Sequence, residues 1–300
     1  MDAKTEIYAD TLLSFTLPNR NARGRVVRLE KVVDDVLSAH DYPAPITHLV
    51  AEALVLCALM GGLLKGQDAQ MTMQAQTQDG VVRLLVCDFR GGSMRGYADF
   101  DDEALAGLGA NPSLPALFGR GYLTITFETD SGTGVTERYQ GIVPLEGDTL
   151  AQACEKYFTQ SEQVPTLIRV ASRAGNGSRV AAGFLVQHLA DGEEGRERLH
   201  VRMDHPDWEH VATLSSTVSH EELLDPGLSM EGIVWRLFHE EDEIRIQSSA
   251  SLARGCRCTA DYYESVLARF PPGEQEAMRN EAGVIEVDCA FCSRTFPLSV

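Results

Sequence analysis

A chain of 300 residues with 44% apolar and 23% charged side chains has the composition of an ordinary globular protein and the length to bury one large core beside smaller units. Its formal charge of −18 works against binding nucleic acid or an anionic membrane, because both depend on Lys and Arg to neutralise phosphate. The longest apolar candidate for a membrane span, around residues 49–64, is interrupted by Glu52 and Gly61-Gly62, and the opening Met1-Asp2-Ala3-Lys4-Thr5-Glu6 does not read as a signal peptide, so a cytoplasmic protein is expected.

Leu12, Leu13, Phe15 and Leu17, followed by Val26, Val27 and Leu29, predict two strands around Asn19-Arg20-Asn21. Over residues 30–40, Val32, Val33, Val36 and Leu37 share one helical face. Pro43 and Pro45 then break the chain before a second helix, roughly 46–64, which is apolar on almost every side and belongs inside. Residues 70–78 alternate Met71, Met73, Ala75 and Thr77 against polar neighbours, the period of a half-buried strand. Asp79-Gly80 signals a hairpin into a strand over 81–89, and 94–100 adds a third. Strands over 122–129 and 135–143 make another hairpin across Asp130-Ser131-Gly132-Thr133-Gly134. Asp148 or Thr149 caps a helix carrying Leu150, Ala153, Cys154, Tyr157 and Phe158; Pro165 ends that element, and 166–171 and 179–189 are closing strands. Hairpins with a few helices and no regular βαβ alternation predict an α+β core of mainly antiparallel sheet over residues 1–190.

Beyond Leu189 the texture changes. Asp191-Gly192-Glu193-Glu194-Gly195 reads as a solvated break. Residues 191–250 form an acidic helical linker, with one short helix marked by Trp208, Val211, Leu214 and Val218 and another by Ile233, Val234, Leu237 and Phe238. Between Asp191 and Arg245 there are 15 acidic and 5 basic residues, 5 − 15 = −10, more than half the charge of the whole chain. Helices this short need a surface to bury against, and the segment repels itself, which predicts a marginally stable layer. Glu240, Glu241, Asp242 and Glu243 read as a solvated face, and His200, His205 and His210 as surface histidines.

The last fifty residues, 251–300, carry Cys256, Cys258, Cys289 and Cys292, a Cys-x-Cys pair and a Cys-x-x-Cys pair thirty residues apart. Two close thiol pairs can supply a tetrahedral thiolate set to one zinc ion. Each pair is also close enough to form a local disulfide, so the same sulfurs can hold metal or lose it. A structural zinc site and a disulfide framework both remain open on spacing alone. Tyr262, Tyr263, Val266, Leu267 and Phe270 mark one helix here; Ala277 and Met278 lie on a second beyond Pro271-Pro272-Gly273, and a stretch over 284–287 precedes the second pair. So few large apolar residues make a poor core, and the metal must hold this unit together. Arg254, Arg257 and Arg294 are expected to favour thiolate character, and Cys289-Cys292 to close before the more strained Cys256-Cys258 ring. Cys57, Cys87 and Cys154 read as buried structural thiols.

The runs Gly255-Cys256-Arg257-Cys258, Cys289-Ala290-Phe291-Cys292 and Trp235-Arg236-Leu237-Phe238-His239-Glu240-Glu241 resemble the heat shock protein 33 family of redox-regulated bacterial chaperones. So do His40-Asp41-Tyr42-Pro43, Glu137-Arg138-Tyr139-Gln140-Gly141, Leu145-Glu146-Gly147-Asp148-Thr149-Leu150 and Ser161-Glu162-Gln163-Val164-Pro165-Thr166, so the likeness spans nearly the whole chain. The resemblance implies a non-enzymatic, ATP-independent holdase. It implies one zinc ion on Cys256, Cys258, Cys289 and Cys292, and oxidation to Cys256-Cys258 and Cys289-Cys292 disulfides with loss of zinc. The linker then unfolds, apolar surface binds unfolding client proteins, and the active form is a homodimer. Two other readings make different predictions: a thiol-disulfide oxidoreductase using Cys289 and Cys292 would reduce insulin, and a static zinc module docking one partner would be indifferent to peroxide.

Overall fold

A computed structural model describes residues 9–64, 66, 68–130, 136–175, 178–189, 204–247 and 249–298. The chain opens with a hairpin, β1 (Thr11–Leu17) and β2 (Ala22–Leu29), then helices α1 (Lys31–Leu37) and α2 (Ala44–Gly61). A meander of β3 (Gln70–Thr77), β4 (Val82–Arg90) and β5 (Ser93–Phe100) leads through short helices α3 (Asp102–Ala106) and α4 (Leu114–Phe118) to β6 (Gly121–Asp130) and β7 (Thr136–Pro144). Helix α5 (Leu150–Tyr157) precedes the long hairpin β8 (Thr166–Gly175) and β9 (Ser178–His188). The C-terminal third holds α6 (Pro206–Ser216), α7 (His220–Leu224) and α8 (Met230–Phe238), then three two-residue strands, β10 (Arg245–Ile246), β11 (Ala250–Ser251) and β12 (Ala253–Arg254). It ends with α9 (Ala260–Leu267), α10 (Pro272–Ala277), β13 (Ile285–Asp288) and β14 (Thr295–Leu298).

Two six-stranded sheets result. The first runs β10-β1-β2-β9-β8, with β11 also on β1; the second runs β12-β5-β4-β3-β6-β7. Every pairing is antiparallel except β12 on β5, which gives the expected α+β fold. Helix α2 lies between the sheets and contacts strands of both. Its lack of a polar face is therefore a packing requirement, since Leu54, Leu56, Cys57 and Leu59 are all fully buried. By length and composition α2 would cross a membrane, but 78% of it is buried inside the protein, as a core helix should be. Gly183 on β9 allows the close approach, since a Cβ there would fall 2.4 Å from Val55 of α2. Glu52, half-buried on α2, accepts the N–H of Ala151 and Thr149 accepts that of Gln152, so together they cap α5.

Strand alternation divides the first sheet into two apolar faces. Leu12, Val27, Leu29 and Leu185 turn inward toward α2. Leu13, Phe15, Leu17, Val26, Phe184 and Val186 turn outward and are covered by α6 to α8 through Trp208, Val211, Leu223, Ile233, Val234 and Phe238. Phe15 packs between Phe184 and Phe238, at 5.7 and 5.8 Å. The acidic segment is thus a lid on a sheet. Polar contacts fasten its rim: Arg20 bridges Asp207 and Glu241, each at 2.8 Å, and His210 lies 2.7 Å from Glu241. Glu241 is therefore a buried ion-pair partner, where the acidic run predicted a solvated face. His205 is likewise more than a surface histidine, because its Nδ1 accepts the Asp207 N–H to cap α6 while its ring packs 4.9 Å from the buried His188. His200 and the break at 191–195 lie outside the described residues, as does the turn at 131–135.

Several elements have no counterpart in the sequence reading: α3, α4, α7, the strands β10 to β12 and β14. The two-residue strands carry no period, so only their partners on β1 and β5 reveal them.

Candidate metal centre

β12 lies parallel to the start of β5, and the Gly255 N–H donates to Met94 O at 2.8 Å, which delivers Cys256 and Cys258 to the edge of the second sheet. Only glycine fits at 255, where a Cβ would sit 2.5 Å from that of Ser93. The other pair occupies the turn of the β13-β14 hairpin, between the paired Asp288 and Thr295. Within it the Cys292 and Ser293 N–H groups donate to Cys289 O, and Ser293 takes a left-handed φ of 54°. This Cys-x-x-Cys therefore sits in a hairpin turn, not at the helix N-terminus that a thiol-disulfide oxidoreductase uses to acidify its nucleophile.

The two turns face each other. Cys256 Sγ lies 3.3 Å from Cys258 and 3.5 Å from Cys289, Cys258 lies 3.4 Å from Cys292, and all four sulfurs fall within 4.8 Å of one another. A tetrahedral thiolate site with bonds of about 2.3 Å has edges of about 3.8 Å, so the set fits a single ion. Cys289 is buried and the other three half-buried, which leaves a path for an oxidant.

Electrostatics separates the sulfurs. Burial pushes the Cys289 thiol up, but the Tyr263 hydroxyl, the Phe291 and Cys292 N–H groups and Cys256 donate to its sulfur and bring it to about 6. Burial and the neighbouring sulfurs push Cys258 well above the usual thiol range, and burial raises Cys292. Four sulfurs at these separations cannot all become thiolates unless a cation sits among them. Tyr263, from α9, is the thiolate partner that sequence reading missed; its place one helical turn after Thr259, which caps α9 through the Tyr262 N–H, was the available sign. Of the expected arginines, Arg257 attracts the Cys256 sulfur electrostatically while its guanidinium is anchored on the core. Arg257 donates to Asp88 at 2.9 Å and Arg294 lies over the Phe296 ring.

Each cysteine turn also touches the core. Arg257, between Cys256 and Cys258, reaches the buried Asp88 of β4, which also binds Arg95 at 2.6 Å and Thr72 at 2.7 Å. Phe291, between Cys289 and Cys292, stacks under Arg95 at 4.0 Å and meets Tyr97 edge-on. Ser293 lies 3.3 Å from His40 at the end of α1. The unit's own core is small, with Leu267, Ile285 and Leu298 its buried apolar residues. Cys57, Cys87 and Cys154 are fully buried in the main core, where burial pushes their thiols up, and take no part in the cluster.

Comparison with known proteins places the chain among its relatives. A 33 kDa chaperonin of Caulobacter vibrioides is 38% identical over 301 residues, covering 98% of this chain and 96% of the relative. A 33 kDa chaperonin of Escherichia coli is 33% identical over 288 residues, covering 96% and 91%. The crystal structure of the 33 kDa chaperonin (heat shock protein 33 homolog) of Thermotoga maritima superposes with a TM-score of 0.77 at 20% identity, over 97% of this chain and 95% of that one, and so supports the fold. The family model for Hsp33 protein matches residues 10–299, and with relatives this similar along almost their whole length the chain belongs to the Hsp33 family of chaperones.

Proposed function

We propose that this chaperone is an ATP-independent holdase switched by oxidation, with a core over residues 1–190, a releasable linker over 191–250 and a zinc unit over 251–300. Cys256, Cys258, Cys289 and Cys292 are the ligands of one zinc ion, which when bound supplies the charge that keeps four thiolates together and folds the C-terminal unit. The observation that carries the reading is the lid: α6 to α8 cover the apolar outer face of β1, β2, β8 and β9, and the same stretch of chain leads into the metal ligands.

Peroxide takes two electrons from each cysteine pair, with the oxygens leaving as water, and the products are Cys289-Cys292 and Cys256-Cys258 disulfides. The Cys289-Cys292 pair closes first, because the single residue between Cys256 and Cys258 makes theirs the more strained ring. Oxidised sulfurs no longer serve as ligands. Metal binding in small zinc units is worth about 10–16 kcal/mol, against about 5–15 kcal/mol of net stability for a typical domain, so its loss is enough to melt residues 251–300. The released linker uncovers Leu13, Phe15, Phe184 and Val186, which bind unfolding clients, and a cytoplasmic homodimer is the active form.

One titration tests this. With graded hypochlorous acid, zinc release and suppression of client aggregation should rise together, and mass spectrometry should find Cys289-Cys292 oxidised before Cys256-Cys258. Zinc loss with no gain in suppression would overturn the holdase reading.

A further inference from the structure

Between the lid and the first metal ligand the chain runs as an extended strap. It pairs with β1 through Thr16 and Phe15 opposite Arg245 and Ile246, and through Leu12 and Thr11 opposite Ala250 and Ser251. It then crosses to the second sheet, where β12 pairs with β5, and ends at Gly255, one residue before Cys256. We propose that the outer edge of β1 is a main-chain docking site for an extended segment of a client polypeptide, and that the strap occupies this site in the resting protein. The inference rests on the holdase reading and says how the client is gripped.

Three observations support it. First, β1 is paired with β2 along its whole length but held on its other side by only two two-residue ladders among the described residues. An edge strand left open is a template for another extended chain. Second, the strap is held by its backbone. Gln247 N–H donates to Ser14 O and Leu252 N–H to Asp10 O, both at 2.8 Å, while Arg245, Ile246, Gln247, Ala250 and Ser251 leave their side chains exposed and, among the described residues of the strap, Leu252 alone is buried. An edge that reads backbone and ignores side chains suits partners without a common sequence. Each net main-chain bond is worth a factor of about two to ten, so so few of them form a replaceable contact.

Third, the strap is tied at both ends to parts that move in the proposed switch. Its N-terminal end follows α8 of the lid, and its C-terminal end is anchored by Gly255 on β5 beside the metal ligands. It also passes closely over the β4-β5 hairpin, where Gly92 has a φ of +84° and a Cβ would lie 2.7 Å from Ser251 O. When lid and metal unit let go, β1 offers an unpaired edge and, on the same strand, the uncovered Leu13, Phe15 and Leu17. The partner that fits both is an extended segment with alternating apolar side chains, common in unfolding proteins and hidden in folded ones.

Residue-resolved hydrogen exchange tests this on the full-length protein, oxidised and zinc-free, with and without reduced carboxymethylated α-lactalbumin, a permanently unfolded client. Pairing along the edge should slow every second amide of β1 about tenfold when the client is added. Capture of the client with β1 exchange unchanged would overturn the proposal and leave the holdase reading intact. Protection that is present without client and grows with protein concentration would assign the edge to a second copy and equally overturn it. Failure to capture the client at all would sink the holdase reading itself.

Discussion

Replacing Phe238 by Ala should open the lid without any oxidant. The ring is fully buried, packs against Phe15 at 5.8 Å and belongs to the cluster that joins α6, α8 and the outer face of the first sheet. Removing a buried phenylalanine costs about 3–5 kcal/mol, the lost transfer energy plus the cavity left behind, and that shifts the ratio of docked to released lid by about two to three and a half powers of ten. The core loses nothing comparable, because Phe15 keeps Phe184 at 5.7 Å and α2 still packs the other face. Reduced, zinc-bound F238A should therefore exchange the amides of α6 and α8 freely, keep those of β3 to β6 protected, retain four zinc-bound thiolates, and suppress aggregation of a heat-denatured client. The reasoning fails in either of two ways. Full protection of α6 and α8 in F238A would mean the packing does not hold the lid, and free exchange with no suppression would mean that the face beneath it does not bind clients.

Tyr263→Phe removes the hydroxyl that donates to Cys289; losing such a support of a ligand typically costs about tenfold or more in metal affinity, to be read by competition with a chromophoric chelator. Asp88→Ala deletes the carboxylate that Arg257 reaches from the cysteine turn, a charge-assisted bond worth about 1.5–3 kcal/mol. The variant should start with full zinc and release it about tenfold faster at fixed peroxide, and an unchanged rate would show that the docking does not shield the thiols. Burial lowers the pKa of His188 from its usual 6.5, with His205 beside it contributing, and a lid that leaves frees the ring to bind a proton. The released state then binds more protons in the window from 6.5 down to the depressed value, so docking weakens as pH falls through that range and is unaffected above it. Fluorescence of the buried Trp208, read in a Trp235→Phe background, should show more exposure at about pH 5.5 than at pH 7 and lose that difference in His188→Gln.

What the sequence disclosed follows from where a physical signal is periodic. The alternation of Met71, Met73 and Ala75 places β3 within one residue, and the all-round apolar run of α2 announces a helix buried inside the protein. Val32, Val33, Val36 and Leu37 give α1 its buried face in the same way. The four cysteines were legible by spacing because metal ligation demands close pairs, and they do converge. Tertiary matters were hidden. The strap is too short and too exposed to carry a period, Glu241 looked solvated until Arg20 was brought across from the first hairpin, and Tyr263 shared a helical pattern with residues that only pack. Arg257 has a second partner that spacing could not announce: besides the nearby thiols, only the fold places a buried Asp88 within its reach.

The order of the segments along the chain has a consequence for biosynthesis. All four long strands of the first sheet are complete at His188, whereas the residues that cover its outer face extend to Phe238, about fifty positions later. At about 5–20 residues per second, a ribosome needs roughly 3–10 s to supply them. Every newly made copy thus exposes the apolar outer face of this sheet before α6 to α8 exist to cover it.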